Sequence, residues 1–207
     1  MLNTVENHPL TNKINLNMVN PFASMDEVLN EAEKLQCDTI INCTGLGSLK
    51  LCNDKSLIGG RGALLYFDRY NCPRRFTSND YVNDAVITVE EPPWGSETLP
   101  AYCIPRGGKI AIGGTYLEGN YDDKISSKER EWLERNAYIF GIDTDNNTTH
   151  VEEWVGFRPV RKPNVRVEIE SFEDRGIRVI HNYGHGGSGW TTFVGVAKDV
   201  LKLVLNS

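Results

Sequence analysis

The chain has no excess of positive charge, no paired-cysteine pattern and no long apolar run. Its 22 Lys and Arg residues against 28 Asp and Glu residues give a net charge of −6, which argues against a nucleic-acid-binding surface. No apolar stretch reaches the roughly 20 residues that cross a bilayer, so we expect no membrane partner. The five cysteines are odd in number and lack a Cys-x-x-Cys spacing, which favours reduced thiols in an intracellular protein.

Residues that perform catalysis by themselves are also scarce. The four histidines form no metal-ligand cluster, because the one helical spacing, between His181 and His185, is interrupted by glycine. The sequence has no Gly-x-Ser-x-Gly elbow and no lysine in a Schiff-base context. We therefore predict no metal ion and no catalytic acid or base, and a reaction whose chemical step belongs to a cofactor, such as flavin hydride transfer.

One glycine-rich segment stands out near the C-terminus. Residues 179–204 predict a strand, a loop with four glycines among residues 184–189, and a helix. Bare glycine backbone lets N–H groups approach a ligand, and the helix directs its positive dipole end at the loop. The segment is typical of a site for an anionic or electron-rich ligand, although a flexible turn is the alternative.

Three cations lie close together in the sequence upstream of that loop. The segment Gly156-Phe157-Arg158-Pro159-Val160-Arg161-Lys162-Pro163 holds Arg158, Arg161 and Lys162 next to two stiffening prolines. An arginine on a fixed backbone is a good two-point clamp for a carboxylate. Tyr102 and Tyr116, on adjacent predicted strands, are neutral donors that suit the same ligand. An exposed cationic loop and two ordinary packing tyrosines are the alternatives.

Periodicity and turn residues predict an α/β fold with mixed sheets. The two ends of the sequence indicate a parallel, nucleotide-type sheet, and the middle of the sequence indicates short antiparallel strands. Helices are expected to begin at Ser24 and Ser126, each with a glutamate three residues later that suits a capping box, and the second should extend to residue 141. Strands are predicted at residues 14–19, 39–43, 63–67, 86–89, 101–105, 109–115 and 166–169, with a sharp turn at 59–62. The strand at 39–43 is expected to be buried on both faces.

Six of these motifs together resemble the D-amino-acid oxidase family, which includes D-aspartate oxidase, over roughly residues 14–205. The anchors are Asn42-Cys43-Thr44-Gly45, Gly60-Arg61-Gly62, Ala101-Tyr102-Cys103-Ile104-Pro105-Arg106, Gly113-Gly114-Thr115-Tyr116, Gly156-Phe157-Arg158-Pro159-Val160-Arg161 and His181-Asn182-Tyr183-Gly184-His185-Gly186-Gly187. The resemblance implies that residues 14–62 and 175–207 belong to an FAD-binding domain. It assigns residues 63–174 to a substrate-binding domain.

The resemblance also implies roles for particular residues. Arg158 would bind the substrate carboxylate, Tyr102 and Tyr116 would donate to it, and the Gly187 carbonyl would accept from the substrate amine. The residues expected to contact FAD are Thr44, Gly45, Arg158, Gly186, Gly187, Ser188, Gly189, Trp190 and Thr191. The implied reaction is hydride transfer from a D-amino acid to the flavin, which molecular oxygen reoxidises, giving a 2-oxo acid, ammonia and hydrogen peroxide.

The sequence departs from the family pattern at three points. Tyr116 stands where D-aspartate oxidases tend to carry arginine, which favours neutral D-amino acids. Thr98 replaces a lid tyrosine of the mammalian-type members. No Gly-x-Gly-x-x-Gly motif opens the chain, where family members use one to hold the ADP half of FAD. We expect the chain to begin after that unit, with about 130–150 residues absent on the scale of a typical domain.

Three functions therefore stay open. The first is an FAD-dependent oxidase of neutral D-amino acids. The second is a non-catalytic truncated remnant or interaction module that binds no FAD. The third is a related oxidase acting on D-aspartate, glycine or sarcosine. We expect a cytoplasmic or peroxisomal protein, although its ending, Leu205-Asn206-Ser207, is not Ser-Lys-Leu, and we leave a homodimer open.

Overall fold

A computed structural model of the chain describes residues 21–71, 87–89, 101–142, 144 and 150–205. Its helices are α1 (Met25–Lys34), α2 (Ser48–Leu51), α3 (Ser127–Ile139) and α4 (Gly189–Leu205). Its strands are β1 (Thr39–Asn42), β2 (Leu57–Asp68), β3 (Ile87–Val89), β4 (Ala101–Arg106), β5 (Lys109–Gly113), β6 (Leu117–Glu118), β7 (His150–Arg161), β8 (Arg166–Phe172) and β9 (Ile177–Tyr183). Among the described residues, none of the helices is both long and apolar enough to cross a membrane.

The strands form two sheets that confirm the predicted mixed α/β class. In the first sheet the order is β1-β9-β8, with β1 parallel to β9 and β8 antiparallel to it. The second sheet is antiparallel, with the order β3-β4-β5-β2-β6 and with β7 also paired to β2. The β2–β7 pairing runs from Leu57 opposite Arg161 to Phe67 opposite His150, so it fixes the position of the whole cationic segment.

The second sheet has two chemically different faces because side chains alternate along each strand. One face packs against α3 and forms the larger apolar core. Its buried residues are Ala63, Leu65, Phe67, Ala101, Cys103, Ile110, Ile112, Leu133, Ala137, Phe140 and Ile142. The intervening residues, such as Leu64 on β2 and Tyr102 on β4, lie on the opposite face. That face is left for the site described below.

A buried ion pair joins β2 to the start of α3. Ser126 and Glu129 form the predicted capping box. Glu129 also pairs with Arg61, whose side chain is 1% exposed and donates further hydrogen bonds to the carbonyls of Asp122 and Lys124, at 2.7 and 2.5 Å. Burial opposes the charge of Glu129, but the Arg61 hydrogen bond keeps the pKa of this carboxyl below its ordinary value. The helix that covers the core is thus tied to β2 at its first turn.

The smaller core lies between α1 and the first sheet. Leu29 and Ala32 of α1 pack against Ile177 and Val179 of β9. Ser24 caps α1 as predicted, because its hydroxyl accepts from the Glu27 N–H. The parallel pairing of β1 is confirmed, but its predicted burial on both faces is wrong. Ile41 is 50% exposed, since no described element covers that side of the strand.

Several other predictions require correction or fall outside the described residues. The turn predicted at residues 59–62 is wrong, because these residues lie inside β2. Their glycines leave room for bulky neighbours rather than for a turn: a Cβ on Gly59 would lie 2.7 Å from the Tyr121 ring, and one on Gly60 would lie 2.6 Å from the Tyr116 ring. The segment around Arg158 is a strand, not a loop. The strand at residues 14–19 and the lid position Thr98 are outside the described residues.

The two-domain division stays a prediction. Its first boundary, between residues 62 and 63, falls within β2, and β8 pairs with β9 in the first sheet although residues 166–172 were assigned to the substrate part.

Replacing Arg61 with Met is expected to lower the free energy of unfolding by about 3 kcal/mol, because Glu129 loses a buried partner and two carbonyls lose a donor. The matched control is Arg135→Met, which breaks an exposed pair within α3 and should cost less than about 1 kcal/mol. Urea unfolding measures both values. Equal losses of unfolding free energy in the two variants would show that the Arg61–Glu129 pair stabilises the fold no more than an exposed ion pair does.

Candidate functional site

A cavity of about 970 Å³ lies on the face of the second sheet opposite α3. Strands β2, β4, β5 and β7 form its floor, and the loop before α4 forms one wall. Its lining residues are Leu64, Tyr66, Thr88, Tyr102, Ile104, Arg106, Ala111, Trp154, Gly156, Phe157, Arg158, Gly187, Trp190 and Thr191. Five of the residues predicted from the sequence line it together: Tyr102, Arg158, Gly187, Trp190 and Thr191.

Two glycines in the floor let Arg158 and Tyr102 lie flat against the sheet. The Arg158 guanidinium rests on Gly62 of β2, and the Tyr102 ring rests on Gly113 of β5, its direct cross-strand partner. A Cβ at either glycine would overlap the side chain above it. The two side chains are close enough that the charge of Arg158 acts on the pKa of Tyr102. The floor therefore fixes a guanidinium and a phenol side by side before any ligand binds.

The charge of Arg158 is not neutralised by the protein around it. In the described part of the chain, no carboxylate pairs with Arg158, whereas the neighbouring cations Arg161 and Lys162 pair with Asp54 and Glu118. Burial raises the pKa of Tyr102, although the charge of Arg158 acts in the opposite direction, so the hydroxyl stays protonated at neutral pH. A fixed cation beside a neutral donor is an arrangement that suits a carboxylate.

Tyr116 lies next to this pair but outside the cavity lining. Its ring rests on Gly60, two residues from Gly62 and on the same face of β2. Its hydroxyl donates to Glu118 Oε1 at 2.8 Å, and Lys162 Nζ donates to Glu118 Oε2 at 2.5 Å. Burial and the Glu118 carboxylate raise the pKa of Tyr116. The structure thus engages the hydroxyl elsewhere, and its predicted carboxylate contact stays a prediction.

The glycine loop follows β9 as predicted. Gly184 and Gly186 have φ angles of +89° and +57°, which glycine adopts without strain, and Gly186–Ser188 forms a 3₁₀ turn that leads into α4. A Cβ on Gly187 would lie at ordinary contact distance, 3.6 Å, from Arg158 Cδ. The loop therefore presents bare backbone to the cavity directly beside the Arg158 side chain.

A second loop reaches the same edge from β1. Thr44 Oγ1 donates to Asn42 Oδ1 at 2.8 Å, and a Cβ on Gly45 would lie 3.6 Å from the ring of Pro159, the residue after Arg158. Because β1 and β9 are parallel, their carboxyl ends place both loops at one edge of the first sheet. The residues predicted to contact FAD therefore flank Arg158. Bare backbone and a helix N-terminus at this edge fit the electron-rich side of a flavin ring.

Sequence reasoning missed the group that holds the glycine loop in place. Asp54 Oδ2 accepts from Arg161 Nε at 2.7 Å and from the Tyr183 hydroxyl at 2.9 Å. Arg161 in turn packs on Gly184 and donates its backbone N–H to the Gly184 carbonyl at 3.3 Å. Arg161, predicted as part of a cationic clamp, is thus a structural residue. Asp54 is 107 residues away from it in sequence, and no local pattern marks the pair.

A buried histidine links the strands beneath both loops. His181 is fully buried, with Nδ1 3.1 Å from Asn42 Nδ2 and Nε2 2.9 Å from Glu170 Oε2. Burial and the charge of Arg166 lower the pKa of His181. In the part of the chain that the structure describes, no group of three or more His, Cys, Asp or Glu residues could hold a metal ion. Through its contacts with Asn42 and Glu170, the His181 ring joins β1, β9 and β8.

Comparison with known proteins relates this site to a family. Residues 18–203 match the family model described as FAD dependent oxidoreductase. The chain is 34% identical over 168 residues to a D-amino-acid oxidase of Dictyostelium discoideum, covering 81% of this chain and 43% of that protein. It is 31% identical over 188 residues to a D-amino-acid oxidase of Fusarium vanettenii, covering 85% and 49%. The chain thus spans about half the length of these curated relatives.

A likeness to solved structures concerns the fold alone. Glycine oxidase from Bacillus cereus superposes with a TM-score of 0.58 at 18% identity, over 82% of this chain and 43% of that chain. Glycine oxidase from Geobacillus kaustophilus gives a TM-score of 0.56 at 19% identity, over 83% and 42%.

Replacing Asp54 with Asn is expected to lower the free energy of unfolding by about 2 kcal/mol at neutral pH, because two hydrogen bonds to a charged acceptor are weakened. Burial opposes the charge of Asp54, but the Arg161 and Tyr183 hydrogen bonds bring its pKa below the ordinary 3.8. The stabilisation is thus complete above that ordinary value and is lost as the pH falls through the lowered pKa.

Urea midpoints of the wild type and Asp54→Asn should therefore converge in strong acid. Asp199→Asn, which removes an exposed partner of Lys202, is the control and should show no such convergence. A wild-type–variant difference independent of pH would contradict the assignment.

Proposed function

The chain belongs to the FAD dependent oxidoreductase family, and on that premise we propose that it acts in the oxidative deamination of D-amino acids. The overall reaction converts a D-amino acid, molecular oxygen and water into a 2-oxo acid, ammonia and hydrogen peroxide. One observation carries the proposal. Arg158 and Tyr102 are fixed side by side in a cavity, next to a bare glycine loop, and no described carboxylate neutralises the arginine.

The substrate carboxylate binds to Arg158 and Tyr102. The planar guanidinium offers two parallel N–H donors, and the protonated phenol adds a third donor. Because Gly62 and Gly113 already hold both side chains flat, little side-chain freedom is lost when the carboxylate arrives. The Gly187 carbonyl is the proposed acceptor for the substrate amine. Together these contacts orient the hydrogen on the substrate Cα.

The described residues that flank Arg158 fit one edge of FAD, which when bound supplies the two-electron acceptor for a hydride. The backbone of Gly186, Gly187, Ser188 and Gly189 would lie along that edge, with Trp190 and Thr191 beside it and Thr44 and Gly45 on the other side. The N-terminal end of α4 favours negative charge there. The indole of Trp190, which is 82% exposed, is one of the apolar surfaces that such a ring would cover.

The polar residues of the cavity agree with a reaction that needs no general base. The described lining contains tyrosine, threonine and arginine side chains but no Asp, Glu, His, Lys or Cys. A proton-abstraction mechanism requires a base within hydrogen-bond reach of the substrate. Hydride transfer requires instead that the substrate is correctly oriented, and Arg158 and Tyr102 supply that orientation.

Substrate preference is the finer part of the proposal. The side of Arg158 that faces Tyr116 carries a neutral phenol rather than a cation, and its hydroxyl is engaged by Glu118. A short substrate side chain therefore meets no positive charge at the Tyr116 position, which favours neutral D-amino acids. The homodimer and the cytoplasmic or peroxisomal location stay predictions.

A second candidate function has its own observation. The one Gly-x-Gly-x-x-Gly spacing in the sequence, residues 184–189, lies beside Arg158, and the sequence contains no second one for the ADP half of the cofactor. A non-catalytic module that keeps the carboxylate site and binds no FAD is the alternative reading of that absence.

An FAD titration of the purified chain separates the two functions. Flavin absorbance and fluorescence report binding, and peroxide release on addition of D-alanine reports turnover. Bound flavin with peroxide supports the oxidase. Absent flavin binding, or bound flavin without peroxide for any D-amino acid, rejects the oxidase function for this chain.

Arg158→Leu is expected to reduce D-alanine-dependent peroxide production by at least about 100-fold while FAD binding persists, because the substrate carboxylate loses its charged partner. Arg135→Leu, on the far side of the second sheet, is the matched control and should leave the rate unchanged. Undiminished activity in Arg158→Leu would exclude the carboxylate role.

Tyr102→Phe is expected to raise KM for D-alanine roughly fivefold with a smaller change in kcat, because one hydrogen bond present throughout the reaction is removed. The aromatic ring remains over Gly113, so the floor keeps its shape. Steady-state kinetics measure the split, and a loss confined to kcat would contradict a binding role.

A further inference from the structure

The cavity contains a second arginine that the proposed reaction does not use. Arg106 ends β4 and lines the cavity together with Tyr102. In the described ranges, Arg106 forms no ion pair, whereas Lys109, its cross-strand partner, pairs with Glu152 at 2.6 Å. Among the described residues, no ion pair involves either of the two cations that line the cavity, Arg106 and Arg158.

Arg106 and the carboxylate clamp lie at opposite ends of the same strand. Tyr102 and Arg106 are four residues apart on β4 and on the same face, so their Cα atoms are separated by about 13 Å at the usual rise of an extended chain. Ile104 lies between them on that face, and Leu64 and Ala111 continue the floor on the neighbouring strands. A ligand held by Arg158 and Tyr102 therefore has an apolar path that ends at a positive charge.

The electrostatics of the clamp show that Arg106 acts on the same space. Burial raises the pKa of Tyr102, and the charge of Arg106 acts against that rise, as does the nearer charge of Arg158. The field of Arg106 thus reaches the hydroxyl that the substrate carboxylate contacts.

We propose that Arg106 forms a side-chain subsite for the distal anion of long acidic D-amino acids, whose α-carboxylate is held by Arg158 and Tyr102. The subsite rests on the proposed carboxylate clamp. The ligand class is a 2-amino dicarboxylic acid whose apolar methylene chain covers Ile104, as the chain of 2-aminoadipate does. Aspartate is too short to span this floor, so the neutral surroundings of Tyr116 still disfavour it. Long acidic substrates are therefore accepted in addition to neutral ones.

A binding comparison tests the subsite without turnover. Calorimetry measures the affinity of the full chain for hexanedioate and for hexanoate, which have equal length and differ in one terminal carboxylate. The wild type is expected to bind hexanedioate about fivefold more tightly, the upper range for an exposed charge pair, and added salt should reduce the preference. Arg106→Gln should abolish the preference and leave hexanoate affinity unchanged. The matched control Arg135→Gln should retain it.

Turnover supplies a second readout where FAD binds. The ratio of kcat/KM for D-2-aminoadipate to that for D-norleucine should fall about fivefold in Arg106→Gln, with no change for D-aspartate relative to D-2-aminobutyrate.

The outcomes separate the subsite from the clamp. Equal wild-type affinity for the two acids, or a preference that survives Arg106→Gln, overturns the subsite while leaving the oxidase proposal intact. If neither acid binds the wild type, the clamp itself is rejected, and both proposals fail together.

Discussion

The contact of the Arg158 guanidinium with Gly62 is the constraint on which the rest of the site depends. It exists because β2 and β7 pair over almost their whole length, which sets Gly60 opposite Arg158 and Gly62 opposite Gly156. On β7, Val160 also forms a β-bridge with His185, which brings the glycine loop next to Arg158. A change in this register would move the clamp and the loop away from each other. Asp54 secures the register at its far end through Arg161.

Charge is distributed over the second sheet according to its two faces. Toward α3 the sheet is apolar, and Arg61, near its edge, is matched by Glu129 and two carbonyls. Toward the cavity the two lining arginines have no carboxylate partner in the part of the chain that the structure describes. Unmatched charge costs folding free energy unless solvent or a ligand satisfies it. Among the cations on the described strands of this sheet, Arg61, Lys109 and Arg161 are paired and the two in the cavity are not, which is the physical basis for regarding this face as the functional one.

The sequence predicted what is periodic or local. The N-cap at Ser24, the capping box at Ser126, the antiparallel middle strands and the strand–loop–helix at residues 177–205 follow from spacing alone. The glycines at 59–62 misled the prediction, because their purpose is to admit the Tyr121, Tyr116 and Arg158 side chains from distant segments. No role for Asp54 or Arg106 followed from the sequence, for a similar reason. Their importance depends on what they face across the sheet, which no short motif encodes.

The aromatic residues of the cavity give the protein an optical property. Two of its four tryptophans, Trp154 and Trp190, line the cavity, and these residues are 50% and 82% exposed to solvent. The wavelength of indole emission shifts when the water around the ring is displaced. A flavin close to an indole lowers the intensity of that emission by energy transfer. The chain therefore carries its own fluorophores in the lining of the cavity that holds Arg158. Binding of a ligand in this cavity should therefore change the intrinsic tryptophan emission, and no attached label is needed to detect it.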